Sequence, residues 1–426
     1  MRKFSVRIFV VAILGLICSS LALSGGYQLN EHGARAVGIG GAFVAQASDP
    51  SAIYFNPAGL AFQQGTNIYA GGTFVIPSNT YKTPGGVETS TQSQLFFPPS
   101  VYGTYAINDK MVVGLGVFTP YGLGTKWGSD WVGQEFAENS TIETFYVNPT
   151  LAYKIADNFS VGIGVSYIYG TVDISRRIAT YSPIPVPPYV MPASVDGNLS
   201  MSGNGSTWGF NLGVLYKPID KLSLGASVRS LSRIDFSGTA NFTNMQALQS
   251  YFPGGTGTAT LPMPANVYVG AAYQFDENLT VEADFQYVGW SAYQALTIQL
   301  PTGPVSPLTG TPLQATSSSP KNWDDGYLGR IGAEYKLNSD WTLRGGLIYD
   351  ITPQPNSTTE PMLPDADRVD ISVGGGYKIS DNLYVDAAYM IVLFSQKDAT
   401  NSIYLPGTYN SIANVVSINI GYSFAK

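Results

Sequence analysis

The chain has 426 residues, a formal net charge of −7, and 12% charged residues against 13% aromatic ones. Ordinary soluble domains carry roughly 25% charged residues, and nucleic-acid-binding proteins are basic, so neither class fits. With 47 glycines and 28 tyrosines, the composition favours a sheet in contact with lipid.

Residues 1–24 resemble a secretory signal peptide. Arg2, Lys3 and Arg7 precede an apolar run, and small residues at Ala22 and Ser24 allow cleavage before Gly25. The alternative is a retained anchor, but the run is short for a membrane-spanning helix. Cleavage would also remove the single cysteine.

Residues 25–65 lack the alternation of a strand and are rich in Gly and Ala. Asn56-Pro57-Ala58-Gly59 near their end forms a turn signal. Small residues let a backbone pack closely against other elements. We therefore expect this segment, the hatch segment, to fold inside the rest of the protein as a plug.

Residues 66–426 alternate between apolar and polar positions, in stretches separated by short Asn/Asp turns. A tyrosine precedes each of six such turns: Tyr105, Tyr153, Tyr216, Tyr273, Tyr335 and Tyr377. Six hairpins plus one strand at each end give fourteen strands. These are expected near 66–77, 96–107, 111–121, 142–155, 159–173, 205–217, 222–237, 265–275, 279–291, 325–337, 341–351, 367–379, 383–394 and 412–424.

An even number of strands, with short turns at one end and long loops at the other, predicts an all-β fold. The expected architecture is a 14-stranded antiparallel transmembrane β-barrel with the hatch segment in its lumen. A soluble β-sandwich is the alternative, because its solvated face would also collect polar residues.

Charges of both signs fall on the predicted inner face. Arg229, Arg233, Arg330 and Arg344 are candidate contacts for a ligand carboxylate, since a guanidinium group binds carboxylates through paired hydrogen bonds. Each arginine also has an acidic neighbour on the same row, so a structural ion pair is the alternative.

Two of the long loops carry apolar side chains that are candidates for ligand capture. The first set is Ile184, Val186, Tyr189 and Met191, and the second is Phe242, Met245, Leu248 and Phe252. The spacing of the second set predicts a short helix with one apolar face. Exposed apolar surface often marks a binding site, but the loops could instead pack together and close the barrel mouth.

The sequence offers few of the residues that enzymatic catalysis needs. The single histidine is His32, and no cysteine follows residue 24. A Ser–His pair would have to use His32, and a zinc cluster lacks ligands. No metal or cofactor is therefore expected, and His32 is expected to make a structural hydrogen bond.

Three stretches resemble the FadL/TodX family of outer-membrane fatty-acid and hydrocarbon transporters: Gly26–Glu31 with the following Gly/Ala run, Ser51–Leu60, and Leu115–Trp127. The resemblance implies that the hatch plugs the barrel and that ligand is caught between the third and fourth outer loops. It also implies that hatch movement opens a lateral exit at a kink in the third strand, approached by Asn56, Pro57 and Ala58.

Gly114, Gly116 and Pro120 offer a physical cause for that kink, because Gly weakens a strand and Pro removes a ladder donor. Close packing of the two glycines against the plug is the alternative explanation.

The prediction is therefore passive, hatch-gated uptake of fatty acids or hydrocarbons by lateral diffusion through the wall of a barrel in the bacterial outer membrane. The expected partners are the hydrophobic ligand, outer-membrane lipid and lipopolysaccharide; no nucleic acid is expected, and the resemblance suggests a monomer. A structural or adhesive surface barrel is the alternative. An aqueous porin is disfavoured because a plugged lumen passes few ions.

Overall fold

A computed structural model describes residues 25–424 apart from 181–184, 187–188, 191–194, 246–248, 251 and 301–315. The predicted signal peptide and three of the predicted capture residues, Ile184, Met191 and Leu248, lie outside the described residues. None of the described helices is long and apolar enough to cross a membrane.

The described part of the chain contains fourteen antiparallel barrel strands, as the turn pattern predicted. They are β1 Thr66–Lys82, β2 Pro99–Asn108, β3 Met111–Phe118 with Gly122–Lys126, β4 Asn139–Ala156, β5 Phe159–Thr180, β6 Val195–Ile219, β7 Leu222–Arg229 with Ser232–Thr243, β8 Gly255–Met263 with Asn266–Gln274, β9 Leu279–Val288 with Ala295–Gln299, β10 Thr316–Pro320 with Gly326–Lys336, β11 Trp341–Asp350, β12 Arg368–Lys378, β13 Leu383–Phe394 and β14 Thr408–Phe424.

The sheet closes on itself, because β1 pairs with β14 from Thr66↔Phe424 to Lys82↔Thr408. Shorter pieces extend the ladder or the loops: Glu88–Ser90, Pro185–Val186, Tyr189–Val190 and Lys397–Asp398. Closure removes the free edges that would otherwise expose unpaired backbone groups. The sandwich alternative is therefore wrong.

The alternation predicted for the two faces is confirmed along β5. Ile163, Val165 and Tyr167 are exposed, whereas Ser160 and Ser166 are buried. The six tyrosines before the short turns are all exposed as well, and they form an aromatic belt at the short-turn end of the barrel. The apolar face therefore points out and the polar face points in.

β7 departs from the predicted pattern. Its two segments pair with β6 as Asn211↔Arg229 and Asn204↔Ser237. Ser237 follows Arg229 by eight residues on β7, whereas their partners on β6 are only seven residues apart. The extra residue is a β-bulge, which shifts the alternation by one position. As a result Arg229 is buried while Arg233 is exposed, and the prediction of Arg233 on the inner face is wrong.

The hatch segment lies inside the ring of strands. It forms two short α-helices, α1 Ala34–Gly38 and α2 Ala52–Phe55, and a 3-10 helix Pro57–Phe62, and most of its residues are buried. Two more 3-10 turns, Trp290–Ala292 and Asn356–Thr358, lie in loops.

The contact between the hatch segment and the wall runs backbone to backbone in places. A Cβ atom would come within 2.5 Å of main-chain atoms of the hatch segment at four wall glycines: Gly162, Gly225, Gly332 and Gly346. Glycine is required there because the two backbones approach too closely for a side chain.

Candidate functional site

The wall is interrupted within β3. Pairing with β4 stops at Phe118↔Tyr146 and resumes at Gly122↔Glu143, so three residues on β3 oppose two on β4. On the other side, β2 pairs with β3 only as far as Val101↔Val117. Pro98 and Pro99 precede that pair and Pro120 lies in the interruption. Because proline cannot donate to a ladder, neither neighbour closes the wall at Thr119–Tyr121, the β3 break.

The first described residues of the chain occupy the β3 break. Leu29 N donates to Pro120 O at 2.9 Å, and Gly122 N donates to Tyr27 O at 3.0 Å. Gln28 stands opposite Tyr121 as an isolated antiparallel bridge. The hatch segment thus supplies a three-residue strand where the wall lacks one.

Tyr27 anchors this short strand in an aromatic cluster. Its ring lies 4.6 Å from Trp290, 5.8 Å from Tyr293 and 6.1 Å from Trp323. Its hydroxyl donates to Pro262 O, and Gly26 N donates to Asp365 Oδ2 at 2.9 Å. Edge-on aromatic contacts add to the burial of large rings, so residues 26–29 are held at both ends.

Two cavities meet at residues 26–29. The mouth cavity, of about 90 Å³, opens towards the long loops and is lined by Tyr27, Val172, Phe236, Leu261 and Leu296 among others. The wall cavity, of about 220 Å³, is lined by Gly26, Gln28 and Leu29, by Thr119 to Thr125 except Pro120, and by Phe96 to Pro99. Leu123, Ile142 and Leu363 line both cavities.

The wall cavity is lined by residues from both faces of the barrel wall. Its lining includes Val392 and Val415 from the inner face, which are almost fully buried, and Phe97, which is 51% exposed on the outside. The ring of Phe96 lies on Gly124 of β3, since a Cβ at that glycine would overlap the ring. A cavity at the wall that is bounded by aromatic and proline side chains suits an apolar ligand.

Gly114 and Gly116 precede the β3 break in the chain and pack against the hatch segment. A Cβ at either position would come within 2.9 Å of Ile53 side-chain atoms. Both residues belong to the regular part of β3, and both have partners on β4. The geometry therefore favours the close-packing explanation for the two glycines, and the interruption coincides with Pro120.

The Asn56-Pro57-Ala58-Gly59 motif contacts β5 and β6. Asn56 Nδ2 donates to Val44 O at 2.9 Å and to Val214 O at 3.0 Å, and Asn56 Oδ1 accepts from Ala58 N. Ser160 Oγ donates to Ala58 O at 2.8 Å. The contact with the β3 break is made by residues 27–29 instead.

Two carboxylates on β9 hold the middle of the hatch segment. Asp284 Oδ2 accepts from Phe43 N and Val44 N at 2.9 and 3.1 Å. Glu282 accepts from Ala45 N and Gln46 N at 2.6 and 3.0 Å. Both side chains are buried, so their carboxyl oxygens satisfy four otherwise unpaired backbone donors.

A network of ion pairs holds α1. Arg35 pairs with Glu334 at 3.0 Å, and Arg344 pairs with Glu334 at 2.7 Å and with Asp386 at 2.6 Å. Tyr69 Oη donates to Asp386 Oδ2 at 3.0 Å. Arg344 therefore belongs to a structural ion-pair network, in agreement with the ion-pair alternative.

Arg229 and Arg330 have different surroundings. Arg229 Nη2 donates to Tyr54 O at 3.0 Å, and its guanidinium lies 5.0 Å from the ring of Tyr54 and 5.5 Å from that of Phe118. Arg330 Nη2 donates to Gln286 at 2.6 Å. Neither arginine lines the mouth cavity or the wall cavity, as far as the described residues define them.

His32 belongs to the same interior cluster as Arg229. Its Nε2 donates to Leu29 O at 3.1 Å, and its ring lies 3.9 Å from that of Tyr54. Burial, and after it the positive charge of Arg229, lower the pKa of His32 from its ordinary value to about 3. The imidazole is therefore neutral and ties Leu29 to α2.

The predicted capture residues are partly described. Phe242 and Met245 are buried with Leu199 and Ala240, and Phe252 packs against them. Phe242 lies in β7, so the predicted helix does not include it; the shifted alternation turns its side chain inwards. Val186 and Tyr189 belong to a two-residue ladder whose backbone alone is described.

Other loop residues close part of the mouth. Trp127 and Trp131 stack at 4.2 Å and pack with Tyr81, Tyr409 and Ala399. The packing alternative is therefore seen at the long-loop end, and Phe242, Met245 and Phe252 line neither the mouth cavity nor the wall cavity.

The most direct sequence signal for the break is the set of prolines at 98, 99 and 120. Pro120 is among the residues predicted to kink β3. The predicted start of the second strand at residue 96 is three residues too early, because β2 begins at Pro99 and loses its pairing with β3 beyond Val101. The roles of Tyr27, Glu282, Asp284 and Phe96 were missed, because each depends on contacts between segments far apart in the chain.

Comparison with known proteins extends these observations. A family model described as "Outer membrane protein transport protein (OMPP1/FadL/TodX)" matches residues 15–424. The long-chain fatty acid transport protein of Escherichia coli K12 is 25% identical over 411 residues, covering 88% of this chain and 89% of that protein. Outer membrane protein P1 of Haemophilus influenzae is 23% identical, with 100% of both chains covered.

Solved structures share the fold. A Pseudomonas aeruginosa FadL homologue superposes with a TM-score of 0.81 at 24% identity, covering 94% of this chain and 100% of that one. The Pseudomonas putida toluene transporter TodX superposes with a TM-score of 0.74 at 20% identity, covering 93% and 100%.

Proposed function

The chain belongs to the OMPP1/FadL/TodX family of outer membrane transport proteins, and from that membership we propose that it carries hydrophobic small molecules, such as long-chain fatty acids or hydrocarbons, passively across the outer membrane. The relatives described as fatty-acid and toluene transporters support uptake over the adhesive alternative.

The proposed route begins in the mouth cavity, passes residues 26–29 and leaves through the wall cavity into the membrane. The observation that carries this proposal is the three-residue strand Tyr27–Leu29 in the β3 break. It has two main-chain hydrogen bonds to β3, far fewer than a barrel strand. Local opening is least costly where few hydrogen bonds and contacts must be broken.

We assign gating to the hatch segment as a whole. Asn56, Pro57, Ala58 and Gly59 fix its far end to β5 and β6, while His32 and Tyr54 both bond to Leu29 O. Rearrangement near the motif would be transmitted to the short strand through these contacts. A purely structural role for His32 also supports a protein without catalytic activity.

The proposal includes a monomeric barrel that contacts lipid and lipopolysaccharide directly. Closure of β1 on β14 within one chain supports a barrel that a single copy completes.

A disulfide lock tests the proposed route. Leu29 N and Gly122 N bond across the Gln28–Tyr121 pair, which makes it the closely spaced type of antiparallel pair, with Cα atoms about 4.5 Å apart. That spacing suits a disulfide. We expect the oxidised Gln28→Cys/Tyr121→Cys protein to lose uptake of a radiolabelled alkane or fatty acid, and reduction to restore it.

The matched control is Thr80→Cys/Ser90→Cys. The hydroxyls of Thr80 and Ser90 are 3.0 Å apart in the hairpin that the end of β1 forms with Glu88–Ser90. Its oxidation should leave uptake unchanged. Equal uptake by the oxidised and reduced forms of the Gln28/Tyr121 pair would contradict a route through the β3 break.

A further inference from the structure

We propose that the wall cavity selects for uncharged apolar molecules and rejects carboxylates, with Glu31 as the residue that determines this specificity. The inference rests on the proposed function and narrows its substrate class from hydrophobic compounds in general to neutral ones such as hydrocarbons and long-chain alcohols.

The charged side chains that line the wall cavity are mostly acidic. They are Glu31, Glu143, Asp365 and Arg368. Glu31 belongs to the hatch segment next to residues 26–29, and its carboxylate accepts a hydrogen bond from Asn30 N at 2.9 Å. No ion pair joins Glu31 to another group within the described residues, and Glu31 lines the wall cavity.

Arg368 is the single cation in that lining, and it is already paired. Its guanidinium lies 2.7 Å from Asp350 and 3.9 Å from Asp370, and both aspartates are buried. Its face also covers the ring of Phe394 at 5.5 Å. A ligand carboxylate would have to displace a buried partner from Arg368, which leaves a buried charge unpaired.

The mouth cavity offers no free cation either. Its one charged lining residue is Glu360, which is bonded to the buried Lys321. The undescribed stretches between residues 25 and 424 contain no Lys or Arg in their sequence. A carboxylate on this route would therefore meet acidic groups and no unpaired cation.

The rest of the lining of the wall cavity is largely apolar. Phe96, Phe97, Pro98 and Pro99 form one side, and Val392, Phe394 and Val415 form the other. Moving an ionised group into such surroundings without a partner is costly, and a like charge nearby raises the cost. A hydrocarbon or an alcohol avoids both penalties.

The test compares two probes with the same alkyl chain, 1-dodecanol and dodecanoate. Initial uptake of each radiolabelled probe is measured at about pH 8, where a carboxylate is ionised, in Gram-negative cells that lack any other barrel of this family and express the full chain. Cells with the empty vector supply the background. We expect dodecanol uptake to exceed dodecanoate uptake by about tenfold or more.

Glu31→Gln keeps the side-chain acceptor for Asn30 N and removes the charge. It should raise the ratio of dodecanoate uptake to dodecanol uptake about threefold or more, and Glu31→Arg should raise that ratio further. Asp130→Asn, which neutralises an exposed loop carboxylate away from both cavities, is the matched control and should behave as the parent. Barrel folding of each variant is checked by its heat-sensitive gel mobility.

Equal uptake of the two probes by the parent, or an unchanged ratio in Glu31→Gln, would overturn the charge selectivity and leave the transport proposal intact. Uptake of neither probe above background would overturn the proposed function, and this inference with it.

Discussion

The main-chain N–H of Leu29 donates a 2.9 Å hydrogen bond to the carbonyl of Pro120. Leu29 belongs to the start of the hatch segment, and Pro120 marks the place where β3 loses its neighbours. The break in the wall is therefore sealed by a segment that belongs to the plug, which links the state of the plug to the state of the wall.

Replacing Asn56 by Ala should loosen the hatch segment without unfolding the barrel. The change removes the Asn56 partner from the buried carbonyl of Val44, the part-buried carbonyl of Val214 and the N–H of Ala58, at a cost of about 1–3 kcal/mol for each buried group left unsatisfied. Hydrogen exchange should accelerate across residues 43–60 and stay unchanged in β10 to β14. Asn410→Ala, at an exposed position of β14, is the control. Unchanged exchange in residues 43–60 would contradict the role given to Asn56.

Adding a methyl group at Gly162 should displace the hatch segment from the wall. The new Cβ would overlap the main chain of Pro57, and overpacking of this kind costs typically about 1–3 kcal/mol. Limited proteolysis should cut the Gly162→Ala protein within residues 45–65 faster than the parent. Gly329→Ala has no neighbour within 4 Å of its Cβ and should match the parent. Resistance of Gly162→Ala equal to that of Gly329→Ala would argue against backbone-to-backbone packing.

Phe96 should set the size of molecule that leaves through the wall. Its ring lies on Gly124 and narrows the wall cavity, so Phe96→Ala should raise uptake of a bulky bicyclic hydrocarbon relative to that of a linear one. Phe285→Ala is the control, because Phe285 is exposed on the outer face of β9 and lines neither cavity. If both variants take up the two hydrocarbons in the parental ratio, Phe96 does not act as a size filter.

Acid should weaken the hatch segment through His32. Its pKa is about 3 in the folded protein, mainly because of burial and then because of Arg229, against about 6.5 in an opened segment. The opened form binds the extra proton, so the stability from a neutral His32 is present above about pH 6.5 and is lost as pH falls towards 3. At pH 5 the expected loss is about 2 kcal/mol.

Hydrogen exchange of residues 27–37, compared at about pH 5 and pH 7.5 after correction for intrinsic rates, measures this loss. His32→Gln keeps a donor for Leu29 O and cannot titrate in this range. The difference between parent and variant therefore isolates His32 from nearby carboxyl groups such as Asp49. A parent and a variant with the same pH dependence would rule out the histidine as the cause.

The strands and their faces were predictable because barrel strands alternate with a period of two and end in recognisable turns. The strand β6 extends ten residues further towards the loops than expected, since Val195–Asn204 carries less apolar alternation than Gly205–Lys217. The phase shift in β7 was not predictable, because its bulge at Ser230 and Leu231 contains neither Gly nor Pro. It moved Arg233 to the outside and Phe242 to the inside.

The site itself could be predicted only in outline. The alternation predicts acidic side chains on the inner face, but a carboxyl group that accepts main-chain N–H groups, as Glu282 and Asp284 do, cannot be told from sequence apart from one that pairs with an arginine. The strand formed by Tyr27, Gln28 and Leu29 has no local signature, since three residues cannot show alternation. Its partner lies about ninety residues away in the chain, and only the folded barrel brings the two together.

The height of the wall cavity has a consequence for the surface of the cell. On β4 the outward side chains change from Val147 and Phe145 to the exposed Glu143 at the level of the β3 break. A hydrocarbon leaving there would enter the outer leaflet just beneath its sugar layer. The barrel would then act as a bypass around the lipopolysaccharide carbohydrate, the part of the envelope that apolar molecules dissolve in least, and the remaining journey inward would proceed through acyl chains alone.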